Sequence, residues 1–566
     1  MPVIEFKDVN CKNCYKCLRE CPVKAIKVTD HGAEIIEEYC IQCGNCILAC
    51  QQGAKVISSN LAEVLELINS GKKVVASVAP SFIANFNVSS FNAFKKALKE
   101  LGFYDCYETA EGAHFVTEEY KKVLDSKKYS NLISTACPSI VSLVAKYYPN
   151  AIKYLAPVDS PMVAHAKMLH ERFDEDINVV FIGPCIAKIR EAKEANEAYN
   201  RTLIDGVITF NDLNNLFIDN NITFDNDIVD DKDNIKSRNY AVNRGVCKAF
   251  SMYHPDYEYI SIDGIENAMH VLYNIDDLSG VFFEMSSCDF SCVNGPASTF
   301  NNKAVIKSVE KVRKYARNRY DKDKDHSLNN VDISTEFKKQ DITYLTPSEY
   351  EIQEILKKIN KTKKEHELNC GACGYQTCRA KAAAVYNGLS NIYTCLPYMN
   401  DLAEKMNEEV IHYSPNGIIT FDEDNNIINI NDKAKEMFGI TTPEVSLGYF
   451  RDYLPWDDLS LGFINQKNVI EKESYIEKTK KYVEYSLVFV KQNKMSFCLL
   501  RDITIHKEYE KQLNQNQKEL INTTNSVIEK QMRVVQEIAS LLGETTAETK
   551  VALIKLRDQF VNKDGE

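Results

Sequence analysis

Short apolar runs alternate with amphipathic segments along the first three hundred residues. Val74-Val75-Ala76-Ser77-Val78, Leu132-Ile133, Val179-Val180-Phe181-Ile182 and Val281-Phe282-Phe283 are each too short for a helix and predict buried strands. Between them, Leu61–Asn69 is an amphipathic helix closed by Gly71, residues 91–101 a second helix and residues 104–107 a short strand. Strands alternating with helices predict an open, largely parallel α/β sheet. Past residue 399 the pattern changes. Strands are expected at 418–421, 427–430, 482–490 and 495–500, with a helix over 431–438 stopped by Gly439. Leu513, Leu520, Val527, Val534 and Leu541 then recur every seven residues, beside Ile521, Ile528, Val535 and Leu542. This heptad predicts a coiled coil or bundle between two chains, hence a homodimer. Gly543 ends it, and Thr545-Thr546-Ala547-Glu548 reads as a capping box for a last helix carrying Val551, Ile554 and Leu556. Residues 311–365 are polar and charged, a solvated linker with some helix.

The 566 residues suffice for about four domains, and 44% hydrophobic content provides for sizeable cores. A net charge of −12 argues against nucleic acid or an anionic membrane as partner. No run of eighteen apolar residues occurs, and Met1-Pro2-Val3-Ile4-Glu5 has no basic start or apolar core, so a cytoplasmic location is expected. Nineteen cysteines in such a chain point to metal ligands in a reducing compartment, not to disulfides.

Their spacing is specific. Cys11-x-x-Cys14-x-x-Cys17-x-x-x-Cys21-Pro22 is followed by Cys40-x-x-Cys43-x-x-Cys46-x-x-x-Cys50, the bacterial two-cluster pattern in which the fourth cysteine of each run serves the other cluster. One [4Fe–4S] cluster takes Cys11, Cys14, Cys17 and Cys50, the second Cys40, Cys43, Cys46 and Cys21. A pair of zinc sites is the alternative, although zinc rarely uses interleaved triplets. Cys370, Cys373 and Cys378, with Cys395 beyond a helix at 380–386, resemble a small single-cluster domain, and zinc is again the alternative.

Four further cysteines sit at strand ends. Cys137 follows Leu132-Ile133, Cys185 follows the Val179 run, and Cys288 and Cys292 follow the Val281 run, on a turn closed by Gly295-Pro296. Ligands of open α/β sheets collect at the carboxyl ends of strands, and four thiolates hold a [4Fe–4S] cluster. Two buried thiols beside a turn is the plainer reading of Cys288 and Cys292 taken alone. Cys106 and Cys247 have no partner pattern and read as core residues; His114, His165, His170 and His412 read as structural.

The segments around Cys137, around Gly183-Pro184-Cys185-Ile186-Ala187-Lys188-Ile189-Arg190-Glu191 and around Glu284-Met285-Ser286-Ser287-Cys288 resemble the three signature motifs of [FeFe]-hydrogenases. The resemblance covers roughly residues 1–310. It implies an H-cluster, a [4Fe–4S] cubane held by Cys137, Cys185, Cys288 and Cys292, with Cys292 also bridging to a two-iron CO/CN unit. By the same resemblance Lys188 hydrogen-bonds a cyanide of that unit, Glu191 and Glu284 fill the motif acids, and Glu119 is a relay glutamate. The chain departs from catalytic members at Ala136 (a relay cysteine there), Ala156 (a relay serine), Lys122 (a second glutamate), and Gly183 and Ser286 (two methionines). Methyl groups cannot pass protons. Ligands kept and relay lost resemble the family's sensory branch.

Residues from 399 resemble a PAS domain without a cysteine motif for a photoactive flavin. His506 lacks a kinase phosphoacceptor pattern, so output acts in trans. The expected architecture is α/β multidomain: a ferredoxin-like two-[4Fe–4S] domain (1–58), an α/β [FeFe]-hydrogenase core (59–310), a charged linker (311–365), a small 4Fe–4S domain (366–398), an α+β PAS domain (399–506) and a helical coiled coil (507–566). The cofactors are three [4Fe–4S] clusters plus the H-cluster. The expected function is hydrogen and redox sensing with low H2/proton turnover, reported to a phosphatase or kinase. The alternatives are a catalytic hydrogenase exchanging electrons with a ferredoxin-type carrier, its PAS domain regulatory, and a cluster scaffold without the two-iron unit.

Overall fold

The computed structural model describes residues 3–6, 11–29, 32–173, 176–230, 236–250, 254–299, 304–317, 331–422, 424, 426–441, 462, 467–490, 495–542 and 546–561. They form two compact units, Met1–Met399 and Asn400–Glu566.

The first unit opens with a ferredoxin-like half. Strand Ile4–Phe6 pairs antiparallel with Lys55–Ile57, and Ile26–Thr29 with Gly32–Ile35. Each cysteine run places its third cysteine on a short helix, Cys17 in Lys16–Arg19 and Cys46 in Asn45–Ala49.

Two parallel sheets make the core over the α/β region expected at 59–310. One orders Asp105–Glu108, Val74–Val78, Asn178–Gly183 and Gly206–Thr209, and the other orders Glu258–Asp263, Val281–Ser286 and Asn131–Ile133. Val74–Val78 and Val281–Ser286 are buried throughout, as expected of strands covered on both faces. Helix Phe91–Glu100 starts where Ser90 Oγ accepts from the Ala93 amide at 3.1 Å. Helix Ala110–Asp125 crosses Pro161–Arg172 at Gly112, where a Cβ would lie 2.5 Å from the Pro161 carbonyl oxygen. The strand ends that carry the cysteines thus belong to two sheets, not to one open sheet.

The segment expected to be a solvated linker is built into this unit over its described residues. Helix Val305–Ala316 buries Val305, Val309, Val312 and Tyr315, and Tyr315 donates to the buried Glu108–Arg238 pair. A boundary at residue 310 cuts that apolar stripe in half, which is why the sequence reading missed it. Residues 331–345 are an extended strap: Ser334 bridges to Val158, Gln340 donates to the Ala145 carbonyl at 3.0 Å, and Thr343 donates to Glu38 at 2.9 Å. Helix Glu349–Lys358 follows, capped reciprocally by Ser348 and Glu351. The rest of the mixed-charge run, 318–330, lies outside the described residues.

The second unit contains a five-stranded antiparallel sheet ordered Ile427–Ile430, Gly417–Phe421, Met495–Asp502, Lys481–Val490 and Val469–Ile476. Asn431 ties it together: its Oδ1 accepts from Ala434 and Ile418, and its Nδ2 donates to the carbonyls of Ile411 and Asn416. Helix Asp432–Phe438 ends at Gly439 with φ +62, as the glycine predicts. Met437, Phe438, Val483, Tyr485, Leu487 and Leu500 fill the interior, and His412 lies outside it, 3.2 Å from Asp432. Thr504–Leu542 is one continuous helix. Its heptad positions are uncovered within the single chain, Leu520 being 66% exposed and Val534 48%. Gly543, Thr545 and the side chains of Leu541, Leu542, Thr546, Ala547 and Glu548 lie outside the described set, although a last helix, Thr546–Val561, is present. Among the described residues no helix is long and apolar enough to cross a membrane.

Candidate metal centre

Loops from the two sheets meet at Gly295, where a Cβ would lie 2.6 Å from the Pro184 carbonyl oxygen, and the same oxygen accepts from the Ala297 amide at 3.0 Å. This contact brings the Cys185 loop against the Cys288–Cys292 loop. Cys137 approaches from Asn131–Ile133: its Sγ donates to Ser287 Oγ at 3.6 Å, and Ser287 Oγ lies 3.8 Å from Cys288 Sγ. Burial of the sulfur, then the neighbouring Cys137, pushes the Cys185 thiol up to about 11 and Cys292 to about 12. Cys288 is raised by burial and then by Cys185, Cys137 and Cys292. Cys185, Cys288 and Cys292, each raised by burial and by neighbouring thiols, need a cationic centre to become ligating thiolates. Four cysteine sulfurs delivered by three loops are the number that a [4Fe–4S] cubane takes. The donors fit an iron–sulfur cluster.

Lys188, buried beside this set, donates to Glu191 at 2.6 Å, to Ser160 Oγ at 3.0 Å and to the Ala136 carbonyl at 3.4 Å. Glu284 is buried with both oxygens engaged, by the amides of Gly245 at 3.0 Å and Cys247 at 2.9 Å, and burial raises its pKa. Glu119 is half-buried and pairs with Lys122 at 2.8 Å on one face of its helix. Ala156 is fully buried. Ser160, Ser287 and Tyr120, whose hydroxyl accepts from the Thr135 amide at 2.8 Å, escaped the sequence reading. No local motif links Ser160 or Tyr120 to the cysteines, whereas Ser287 stands inside the third motif, next to Cys288. Cys106 and Cys247 are buried and stand apart from the donor sets, and His165 is a core residue bonded to Ser77.

Two further sets converge. One pocket is lined by Cys21, Cys40, Cys43 and Cys46, the interleaved set expected for the second ferredoxin cluster. Cys17 sits within electrostatic reach of Cys50, as expected for the first. Another pocket is lined by Cys370, Cys373, Cys378 and Cys395. Helix Cys378–Tyr386 separates the last two, and its buried Lys381 donates to Ser390 at 2.9 Å and to the Asn391 carbonyl at 2.6 Å.

The second ferredoxin set abuts the strand-end set. Gly44, with φ +81, has no space for a side chain, since a Cβ would lie 2.4 Å from Pro296 and 3.4 Å from Ile186. The Cys40 carbonyl accepts from Lys146 and from Arg190, each at 3.0 Å.

Fold and donor sets together define a hydrogenase-type core fold accompanied by cysteine sets suited to iron–sulfur clusters. Residues 72–296 match the family of the iron only hydrogenase large subunit, C-terminal domain, residues 3–51 the 4Fe-4S dicluster domain, residues 367–397 an Fe-S cluster family and residues 406–471 the PAS domain. The chain therefore joins an iron-only hydrogenase domain to a dicluster ferredoxin domain and a PAS domain. It is 24% identical over 258 residues to the nuclear prelamin A recognition factor of Xenopus laevis, covering 36% of this chain and 56% of that protein. It is 25% identical over 206 residues to the NADP-reducing hydrogenase subunit HndD of Solidesulfovibrio fructosivorans, covering 32% and 35%. The chain thus spans about half or less of these relatives. Among solved structures, one of HydA(deltaEFG), titled for stepwise [FeFe]-hydrogenase H-cluster assembly, matches at TM-score 0.37 and 16% identity over 50% of this chain and all of that one. The PAS domain of a Colwellia psychrerythraea protein matches at TM-score 0.16 and 17% identity, covering 18% of this chain and 98% of that one.

Proposed function

We propose that this chain is a cytoplasmic hydrogen and redox sensor with slow reversible hydrogen oxidation, holding three [4Fe–4S] clusters and an H-cluster. Its output passes through the PAS domain and the C-terminal helix to a phosphatase or kinase partner. One juxtaposition carries the reading: four convergent cysteines and a buried, oriented Lys188 stand beside Ala136, and the second relay position, Ala156, is a buried core methyl. When bound, a cubane joined to a two-iron unit supplies reversible cleavage of hydrogen into protons and electrons. Cys137, Cys185, Cys288 and Cys292 would hold it. Glu191 and Ser160 hold Lys188 in a fixed orientation as a donor. Glu284 fixes the Gly245–Ala249 turn behind the third motif, each of its oxygens accepting a backbone amide.

Proton delivery is the weak element. Next to Lys188 the chain offers the methyl group and carbonyl of Ala136, and a missing general acid or base costs ~10²–10⁴-fold in rate. Hydrogen evolution from a strong donor should therefore be measurable but slower than in a catalytic relative by about that factor. Ala136→Cys should recover part of it. A wild-type rate equal to that of a catalytic relative would overturn the sensor reading and leave a regulated enzyme.

A further inference from the structure

The cysteine set at 370–395 is seated on the ferredoxin half, on the short helix between Cys17 and Cys21. Gly374 has φ +89, and a Cβ there would lie 3.1 Å from Leu18 Cγ and 3.3 Å from the Arg19 amide nitrogen. Backbone meets backbone at this point, and only glycine allows both the angle and the approach. Arg19 reaches back across the contact to the Ala372 carbonyl at 3.4 Å. Lys24 lies at the same seam. Its ammonium donates to the carbonyls of Arg19 at 3.0 Å and Leu18 at 3.4 Å, capping the helix end. Burial lowers its pKa, while Cys21, Glu266, Cys373 and Glu20 act to raise it, so one cation lies within electrostatic reach of a cysteine from each set. Tyr375, next to Gly374, is likewise within electrostatic reach of both Cys373 and Cys21. A half-buried lysine within reach of two anionic centres stabilises added negative charge on either.

We propose that the 370–395 cluster exchanges electrons directly with the cluster of Cys21, Cys40, Cys43 and Cys46 across the Gly374–Leu18 contact, and that Lys24 is a positioning residue tuning both. The electron order is then the 370–395 set, the Cys21 set and the strand-end set, the last step crossing the Gly44–Pro296 contact. Oxidation of one hydrogen molecule yields two protons, released to solvent, and two electrons, one for each of the first two clusters. Only this source of electrons rests on the function proposed above; the wiring does not.

The test uses the full chain, reconstituted anaerobically with iron and sulfide and lacking the two-iron unit, so that the outcome is independent of hydrogen chemistry. Reductive titration followed by electron paramagnetic resonance gives the potentials, and Cys373→Ser assigns the 370–395 signal by its loss. Lys24→Gln should shift the potentials of both the 370–395 and the Cys21 clusters to more negative values, the Cys11/Cys14/Cys17/Cys50 cluster moving least. Gly374→Val should weaken the magnetic interaction between the two clusters with iron content retained. If Lys24→Gln moves only one cluster, or the reduced wild type shows no interaction that Cys373→Ser removes, the wiring is wrong. Zinc in place of iron at 370–395 would overturn it too. Each of these results leaves the hydrogenase reading standing, and absence of hydrogen chemistry would leave the wiring standing.

Discussion

Glu284 shows how a motif residue acquires its task from distant chain. The sequence marks it as an acid leading into Cys288, but the amides it holds belong to Gly245 and Cys247, with no local pattern to reveal the pairing. Glu284→Ala would strand two buried N–H groups at about 1–3 kcal/mol each. Glu284→Gln keeps one strong acceptor and should lose less. Denaturant unfolding of the two variants orders them, and equal stabilities would contradict the anchoring role. Lys188 is similar: Glu191, three residues on, is visible in sequence, whereas Ser160 is 28 residues upstream and is found only in the fold. Short-range spacing announces ligands; long-range hydrogen bonds that orient them leave no trace in a single sequence.

Elements with a clear period were legible. The strand Val74–Val78, the helix Leu61–Asn69 and the C-cap at Gly439 fall where apolar period and glycine place them. The strap at 331–345 was not, because an extended segment held by backbone contacts to Ala145, Val158 and Glu38 carries no amphipathic signature. Gly44 makes a test at this scale. A side chain at its left-handed angle costs about 1–3 kcal/mol in backbone strain alone, and it would also wedge Pro296 away from the second ferredoxin set. Gly44→Val should therefore slow re-reduction of the strand-end cluster by electrons entering through the ferredoxin half, followed by rapid-mixing spectroscopy. An unchanged rate would place the electron entry elsewhere. For the long helix, the exposed stripe of Leu513, Leu520, Val527 and Val534 is expected to pair with a second copy, each buried side chain contributing on the order of 1.5–3 kcal/mol. Light scattering should show dimers for the full chain and monomers after truncation before Gln512; dimers in both would refute the pairing.

On the scale of the whole molecule, the first unit gathers the strand-end, ferredoxin and 370–395 cysteine sets into one body, tied by Gly44, Gly374 and the 331–345 strap. Removing one terminal set should leave the other end intact. Cys373→Ser is expected to lower the number of electrons taken up per chain by one in a reductive titration, without altering the strand-end site. The sensor reading depends on what that site binds, and infrared spectroscopy reports it directly. After maturation of the full chain with the two-iron precursor, the account predicts CO and CN⁻ stretching bands that are lost in Cys292→Ser. Protein that carries its full iron–sulfur content yet shows no such bands would contradict it.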